Sequence, residues 1–369
     1  MVDYIIQPWE TTEQDIDNVP LEVEDLAKQV MTHYDMIVKS MTMITSKPDK
    51  GGAIWKIETD RGPRSLKILH RSPERSLFSI GAQEYLVEQG ARVPNLIHSK
   101  SGEKYVNAGG KLWIVAEWIE SLIQESKIDL EGAQALCYGL GEFHRHSQGY
   151  VPPTGAAHAS RLHRYPEVYK KIITKIDWFR ILAHAYSDMP ASKTILSMVD
   201  VYEQQARGAL AKLESSPYAS LVSKGGPYWG IVHQDYGWSN GQQGPGGIWI
   251  IDLDGVAYDF PIRDLRKLIT STMDDMGVWD VKWMRGMIEA YQQANPIDPA
   301  LYEILLIDMS LPNEFYKHVK EMVYSPTTFL NDELVALLLR LEESDATKWP
   351  ALTELSNNWN FDGKDGGNK

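Results

Sequence analysis

Three polar residues in this sequence have the types and spacing to do chemistry. Asp235 and Asn240 lie in His233-Gln234-Asp235-Tyr236-Gly237-Trp238-Ser239-Asn240, and Asp252 follows the apolar pair Ile250-Ile251. A carboxylate can orient a hydroxyl and accept its proton. A carboxamide oxygen, which does not protonate near neutral pH, and a second carboxylate can face a hard cation such as Mg²⁺ that completes its shell with water and phosphate oxygens. The turn formers Gln242-Gln243-Gly244-Pro245-Gly246-Gly247 and the strand-like Ile248-Trp249-Ile250-Ile251 predict a hairpin that returns Asp252 beside Asn240. The set reads as a phosphotransferase site, with Asp235, Asn240 and Asp252 catalytic and with Asn240 and Asp252 as metal ligands.

Taken singly, each signal is weak. His-x-Asp is common in loops, and Asp-Gly after a strand is often only a turn; the joint spacing carries the reading. Asp252-Leu253-Asp254-Gly255 also superficially suits a phosphohydrolase with an aspartyl nucleophile. That chemistry needs a doubly wound sheet, and the chain before residue 230 does not supply the alternating strands and helices to build one.

The elements that must position these residues change character along the chain. Val23, Leu26, Ala27, Val30, Met31 and Tyr34 share a helical face. Strands are expected over Met41 to Thr45, Ile54 to Thr59, Arg64 to Leu69, Asn95 to His98, Lys104 to Val106 and Leu112 to Glu117, with a helix over Arg75 to Glu88. After Glu117-Trp118-Ile119 the pattern becomes helical, over Glu131 to Ser147, Thr194 to Leu213, Val281 to Gln292, Pro299 to Ile307, Glu314 to Met322 and Asn331 to Glu343. Asn331 caps the last of these, and a fraying tail is expected from Thr353. Cys137 and His144 share the apolar face of the first of these helices and read as core residues.

The expected fold is therefore α+β and two-lobed: a small antiparallel-sheet lobe over 1–117 and a larger, mainly helical lobe over 118–369, with a cleft at the crossing. The sheet side must then contribute phosphate binding. Lys67 in Ser65-Leu66-Lys67-Ile68-Leu69 is the candidate, and Glu84 in the next helix is its expected mate. Ser46-Lys47-Pro48-Asp49-Lys50-Gly51-Gly52-Ala53 lies between two strands with adjacent rather than spaced glycines. Gly51 and Gly52 either let main-chain N–H groups approach a phosphate or simply close a hairpin. No Gly-x-x-x-x-Gly-Lys-Ser/Thr loop occurs, so a P-loop NTPase is not the preferred class.

Composition bounds the partners. Lys and Arg number 37 against 50 Asp and Glu, a formal charge of -13, and no concentrated basic stripe speaks for nucleic acid. A single Cys137 excludes an internal disulfide framework and a thiolate zinc cluster, which favours a reducing compartment. No basic, apolar and small-residue leader opens the chain, and its apolar strings fall short of the roughly 20 residues that span a bilayer; neither secretion nor a membrane partner is expected. Scattered apolar and aromatic residues define no interface patch, so oligomeric state stays open.

These residues resemble the aminoglycoside phosphotransferase and choline kinase superfamily, whose fold is similar to that of protein kinases. More closely, the sequence resembles the CotS/CotI-type spore coat proteins of endospore-forming bacteria. The resemblance runs over about residues 20 to 345 and rests on His233-x-Asp235-x-x-x-x-Asn240, Ile251-Asp252, Ser65-Leu66-Lys67, Glu84-Tyr85-Leu86, Ala116-Glu117-Trp118-Ile119 and Arg263-Asp264-Leu265. It implies ATP and Mg²⁺ as cofactors. Asp235 would be the catalytic base, Asn240 and Asp252 the Mg²⁺ ligands, Lys67 the phosphate-binding cation and Glu84 its orienting partner. Glu117, Trp118 and Ile119 would form the hinge that meets adenine, Asp264 would support the catalytic loop, and His233 would be structural. The implied acceptor is a small-molecule alcohol: a sugar, amino sugar or amino alcohol. The coat resemblance implies synthesis in the cytosol, later deposition on the spore and coat proteins as partners; it also leaves open a nucleotide-binding or structural protein that has lost its chemistry.

Overall fold

The computed structural model describes residues 4–10, 19–125 and 129–358. An opening helix, α1 (Leu21–Met31), precedes strands β1 (Val38–Lys47), β2 (Gly52–Thr59) and β3 (Arg64–Ile68); helix α2 (Pro73–Glu88) then precedes β4 (Val106–Ala108) and β5 (Lys111–Glu117). The strands form an antiparallel sheet in the order β1-β2-β3-β5-β4. Side chains alternate across the sheet. One face presents Trp55, Ile57, Leu66, Ile68, Trp113 and Val115 to Val23, Ala27 and Val30 of α1. The other face packs Ile114 and Ala116 against Ile80 of α2. Burial of a side chain such as Leu66 contributes about 1.5–3 kcal/mol. The resulting register is therefore firmly set, and a one-residue slip would exchange the two faces.

Helix α3 (Leu130–Ser147), helices α4 (Tyr165–Ala185), α5 (Ser192–Ser215), α6 (Tyr218–Ser223) and α7 (Gly226–Trp229), and the short strand β6 (Ile231–Val232) follow. The chain then forms β7 (Gly241–Gly244), β8 (Gly247–Ile250) and β9 (Ala257–Tyr258). Helices α8 (Ile262–Met276), α9 (Val281–Ala294), α10 (Pro299–Ser310), α11 (Asn313–Val319), α12 (Pro326–Phe329) and α13 (Asp332–Asn358) complete it. This is a two-lobed α+β protein-kinase-like fold with a small sheet lobe and a larger helical one.

By packing, the sheet, the segment Glu142–Ser160 and the segment His233–Tyr258 cluster as one compact unit, and the helical segments Arg161–Val232 and Asp259 onward belong to another. This grouping differs from a single cut after residue 117. The hairpin of β7 and β8, a two-stranded sheet of its own, is tied into the first unit where Ile123 and Gln243 exchange main-chain hydrogen bonds of 2.9 and 2.7 Å and Ile250 N donates to Arg92 O at 2.9 Å.

Several local expectations need revision. Asn95 to His98 is not a strand; it contributes only an isolated bridge, Leu96 to Ala116. The strand expected at Lys104 to Val106 is displaced to β4. Asn331 does cap α13, accepting from Leu334 N at 2.9 Å, but that helix continues through Pro350 to Asn358 instead of fraying from Thr353. Proline removes one helical hydrogen bond, and the buried Ala351, Leu352 and Leu355 keep the following turn packed. The rest of the expected tail, 359–369, lies outside the described residues. Among the described residues no helix is long and apolar enough to cross a membrane.

Candidate functional site

Lys67 sits in the middle of β3, cross-strand from Ile54 on β2 and Ile114 on β5. Its neighbours Leu66 and Ile68 are 0% and 1% exposed on the α1 face, so the pleat turns Lys67 to the opposite face. A cleft of about 470 Å³ opens there, with Ile44, Ile54, Ile114 and Leu122 in its apolar wall. Glu117, Trp118 and Ile119 line the same cleft, as do Lys67, Asp252 and Asp254. An apolar slot bordered by an extended chain segment and ending in charge suits a flat heterocycle carrying phosphates.

The carboxylates reach Lys67 through an unusual backbone turn. Asp252 has φ 61° and ψ 61°, a left-handed conformation that costs a non-glycine residue about 1–2 kcal/mol. The tight helical turn Leu253–Gly255 follows at once, and it brings the second carboxylate round to the same ammonium. Lys67 Nζ lies 2.5 Å from Asp252 Oδ1 and 2.8 Å from Asp254 Oδ1. Lys47 Nζ stands 3.5 Å from Asp252 Oδ2, and His70 Nδ1 3.3 Å from Asp254 Oδ2. Burial acts to raise both carboxyl pKa values, but the Lys67 charge outweighs it and holds both groups below the usual carboxylate range. Burial likewise opposes the charge on Lys67, and Asp254 and Asp252 more than restore it.

The loop carrying Asp235 and Asn240 is anchored beside this cluster by main-chain and ring contacts. Ile251 N donates to Asn240 O at 3.0 Å, so the hairpin does return Asp252 next to Asn240. His233 is fully buried; its Nδ1 accepts from Asp235 N at 3.3 Å while its Nε2 bonds Ile251 O at 2.9 Å. Both bonds are satisfied by the neutral tautomer with hydrogen on Nε2. Gln234, at φ 71°, donates from its side chain to Gly255 O, which ties the loop to the turn after Asp252. Asp235 is solvent-exposed. Asn240 Nδ2 donates to Asp235 O at 2.8 Å, which directs the oxygen of the same carboxamide away from that bond. Asp235 and Asn240 thus lie on an adjoining loop and not in the cleft lining.

Two expectations fail geometrically. Glu84 is not the mate of Lys67: its carboxylate is taken by Lys104 and by His98 Nε2 at 3.0 Å. Its neighbour Gln83 faces the cleft instead, donating to Pro94 O at 2.7 Å, because each residue turns about 100° around a helix. Nor do Gly51 and Gly52 line the cleft. Gly51, at φ 63°, ends a single helical turn, and a Cβ there would stand 3.1 Å from Ile6 Cγ2; at Gly52 it would stand 3.0 Å from His70 Cβ. These glycines serve a tight turn and close packing.

Lys47 and His70 escaped the sequence reading, which left Asp254 open between reaching the metal region and capping the turn at Gly255. The signal available for Asp254 was its position two residues after Asp252; for Lys47 it was the end of a strand feeding the β1–β2 turn. Another polar cluster, Asp274, Glu314 and His318, already shares the Lys317 ammonium, 3.3 Å from Asp274 and 3.0 Å from Glu314.

No protein-family model matches the chain. Spore coat protein S of Bacillus subtilis (strain 168) is 26% identical over 292 residues, 79% of this chain and 82% of that protein. An aminoglycoside phosphotransferase from Alicyclobacillus acidocaldarius superposes with a TM-score of 0.74 at 15% identity, covering 92% of this chain and 96% of that one. An amicoumacin kinase in complex with AMP-PNP, Ca²⁺ and Ami superposes with a TM-score of 0.57 at 19% identity, covering 89% of this chain and 97% of that one. The fold is therefore that of the aminoglycoside phosphotransferases and of a choline/ethanolamine kinase family protein among solved structures. A spectinomycin phosphotransferase in complex with ADP and spectinomycin superposes with a TM-score of 0.57 at 12% identity, covering 90% of this chain and 98% of that one.

Proposed function

We propose that this protein transfers the γ-phosphoryl group of ATP to the hydroxyl of a small molecule. The observation that carries the reading is the Lys67 ammonium held at 2.5 and 2.8 Å between Asp252 and Asp254 in a cleft that also contains Glu117, Trp118 and Ile119. The donor set fits Mg²⁺, which favours oxygen ligands: the carboxylates of Asp252 and Asp254 and the carboxamide oxygen of Asn240 are the groups that would hold it. When bound, Mg²⁺ supplies charge neutralisation at the phosphates.

The chain's own groups do the rest. Ile44, Ile54, Ile114 and Leu122 exclude water around the base, and the main chain of Glu117 to Ile119 borders it. Lys67 shifts from its two carboxylates onto the phosphate oxygens. Asp235, on the exposed loop, orients the acceptor hydroxyl and takes its proton as the hydroxyl oxygen bonds to phosphorus and the bond to the ADP oxygen breaks. The acceptor class is a sugar, amino sugar or amino alcohol. The similarity to spore coat protein S over 79% of this chain supports a second reading for location: synthesis in the cytosol and deposition in the spore coat, with coat proteins as partners. It also supports the alternative of a coat protein that binds nucleotide without turnover.

A panel of sugars, amino sugars, choline-like alcohols and aminoglycosides, assayed for acceptor-dependent ADP release with the product confirmed by mass, tests the enzyme reading. Asp235→Asn should lower turnover by about a hundredfold or more while MgATP affinity stays within a factor of about two. Retained turnover in that variant would remove Asp235 from the chemistry. A panel without product, in a protein that binds MgATP, favours the non-catalytic coat reading.

A further inference from the structure

The β1–β2 connection is where a nucleotide-binding sheet can offer main-chain N–H groups to phosphates. Here it is closed by packing. Gly51 N donates to Pro48 O at 3.2 Å, and Trp9 N donates to the same carbonyl at 3.0 Å. A Cβ at Gly51 would stand 3.1 Å from Ile6 Cγ2 and one at Gly52 3.0 Å from His70 Cβ, so both positions are filled from the side by the chain itself. Neither glycine lines the cleft.

One residue of this connection does reach the charged cluster. Lys47 ends β1, paired with Gly52 across the turn, and its ammonium stands 3.5 Å from Asp252 Oδ2 while Lys67 holds Oδ1 of the same carboxylate. Lys67 is nearly enclosed, its side chain 12% exposed, whereas that of Lys47 is 41% exposed. A partly exposed ammonium on a four-carbon stem can follow an incoming anion with little reorganisation of the fold. The charge balance calls for such a group, because a fully ionised triphosphate with one divalent cation remains anionic beside Asp252 and Asp254, and Lys67 is a single positive charge.

We propose that Lys47 is a second phosphate-binding cation of this site, supplying from its side chain what the packed β1–β2 turn does not offer from its main chain. This rests on the nucleotide reading above. In the free protein Lys47 guards the outer oxygen of Asp252; with nucleotide bound it moves to the phosphate chain and leaves that oxygen to the metal. The site thereby recognises phosphate through two lysines from adjacent strands.

Titration calorimetry of the full chain with MgATP, and separately with adenosine, tests this. Lys47→Ala should weaken MgATP by about ten- to a hundredfold, the range for a lost charge-assisted hydrogen bond; adenosine affinity should be unchanged, and Lys47→Arg should recover most of the loss. Raising the salt concentration should weaken MgATP binding more in the wild type than in Lys47→Ala. Wild-type affinity for MgATP in Lys47→Ala overturns the proposal. So does an equal loss for MgATP and adenosine, which would mark a structural effect. Absence of MgATP binding by the wild type removes the nucleotide reading and this inference with it, whereas normal wild-type binding with a silent Lys47→Ala removes only the inference.

Discussion

Asp252 and Asp259 are separated by one short turn and a two-residue strand in sequence, and their surroundings drive them in opposite directions. Asp252 has an ammonium at 2.5 Å and another at 3.5 Å, and these outweigh burial to keep its carboxyl ionised well into acid. Asp259 is fully buried with Arg263 Nε at 3.5 Å from Oδ2, beyond a good hydrogen bond, and Phe260 N at 2.8 Å from Oδ1. Burial there pushes its pKa up to about 7, against the pull of Arg263 and the Phe260 N–H, with Asp264 and Asp308 adding to the rise. The contrast separates two uses of a buried acid. A carboxylate in close contact with cations that can be displaced is suited to meet a metal, whereas one beside a more distant arginine is suited to packing and to a pH-dependent contribution to stability.

Removing the cation should collapse the contrast, and this is the largest expected effect. Lys67→Met leaves Asp252 and Asp254 with Lys47 and His70 alone, and breaking a buried pair costs about 3–5 kcal/mol. Urea denaturation at pH 7 should show a loss on that scale, held down to about pH 4 and shrinking below it as the carboxyls protonate. The linkage runs as expected for depressed acids: the stabilisation by Lys67 is present above their unfolded pKa and lost as pH falls through the folded values. A loss that is independent of pH would mean that Lys67 acts by packing alone.

Asp259 should behave with the opposite sign. Its folded pKa lies above its unfolded value, so its favourable contribution is full below about pH 4 and is lost as pH rises through about 7. Between pH 5 and 8 the wild type should therefore lose stability on the order of 2–3 kcal/mol that Asp259→Asn does not lose. Parallel pH profiles for the two proteins would place the titration elsewhere.

How much of this was legible depends on how local each determinant is. The hairpin before Asp252 was readable because its turn formers and its apolar strand are contiguous, and Lys67 because β alternation puts Leu66 and Ile68 on one face. The helical register that turns Gln83 and not Glu84 to the cleft was not, since α2 buries Ser76, Phe78, Ser79, Ile80, Ala82, Gln83 and Leu86, a face too wide to orient from pattern alone. For Gly51 and Gly52 the choice between meeting a phosphate and closing a hairpin stayed open, because the side chain that fills Gly51's flank, Ile6, comes from a distant part of the chain. Lys47 was overlooked for a related reason: its partner Asp252 is remote in sequence and is brought within reach only by a left-handed backbone turn. The long α4 and α8 and the continuation of α13 through Pro350 depend on packing within the helical unit, which outweighs the local preferences that sequence pattern reports.

The central claim is that Asp252 meets a metal-bound nucleotide in the cleft beside Lys67. Calorimetric titration with ATP, with and without Mg²⁺, on the wild type and on Asp252→Asn tests it most directly. The wild type should bind ATP in a Mg²⁺-dependent way, and Asp252→Asn should lose about tenfold or more in affinity, confined to the titration with Mg²⁺. No heat at millimolar MgATP, or binding that ignores both Mg²⁺ and the loss of the Asp252 charge, would contradict it.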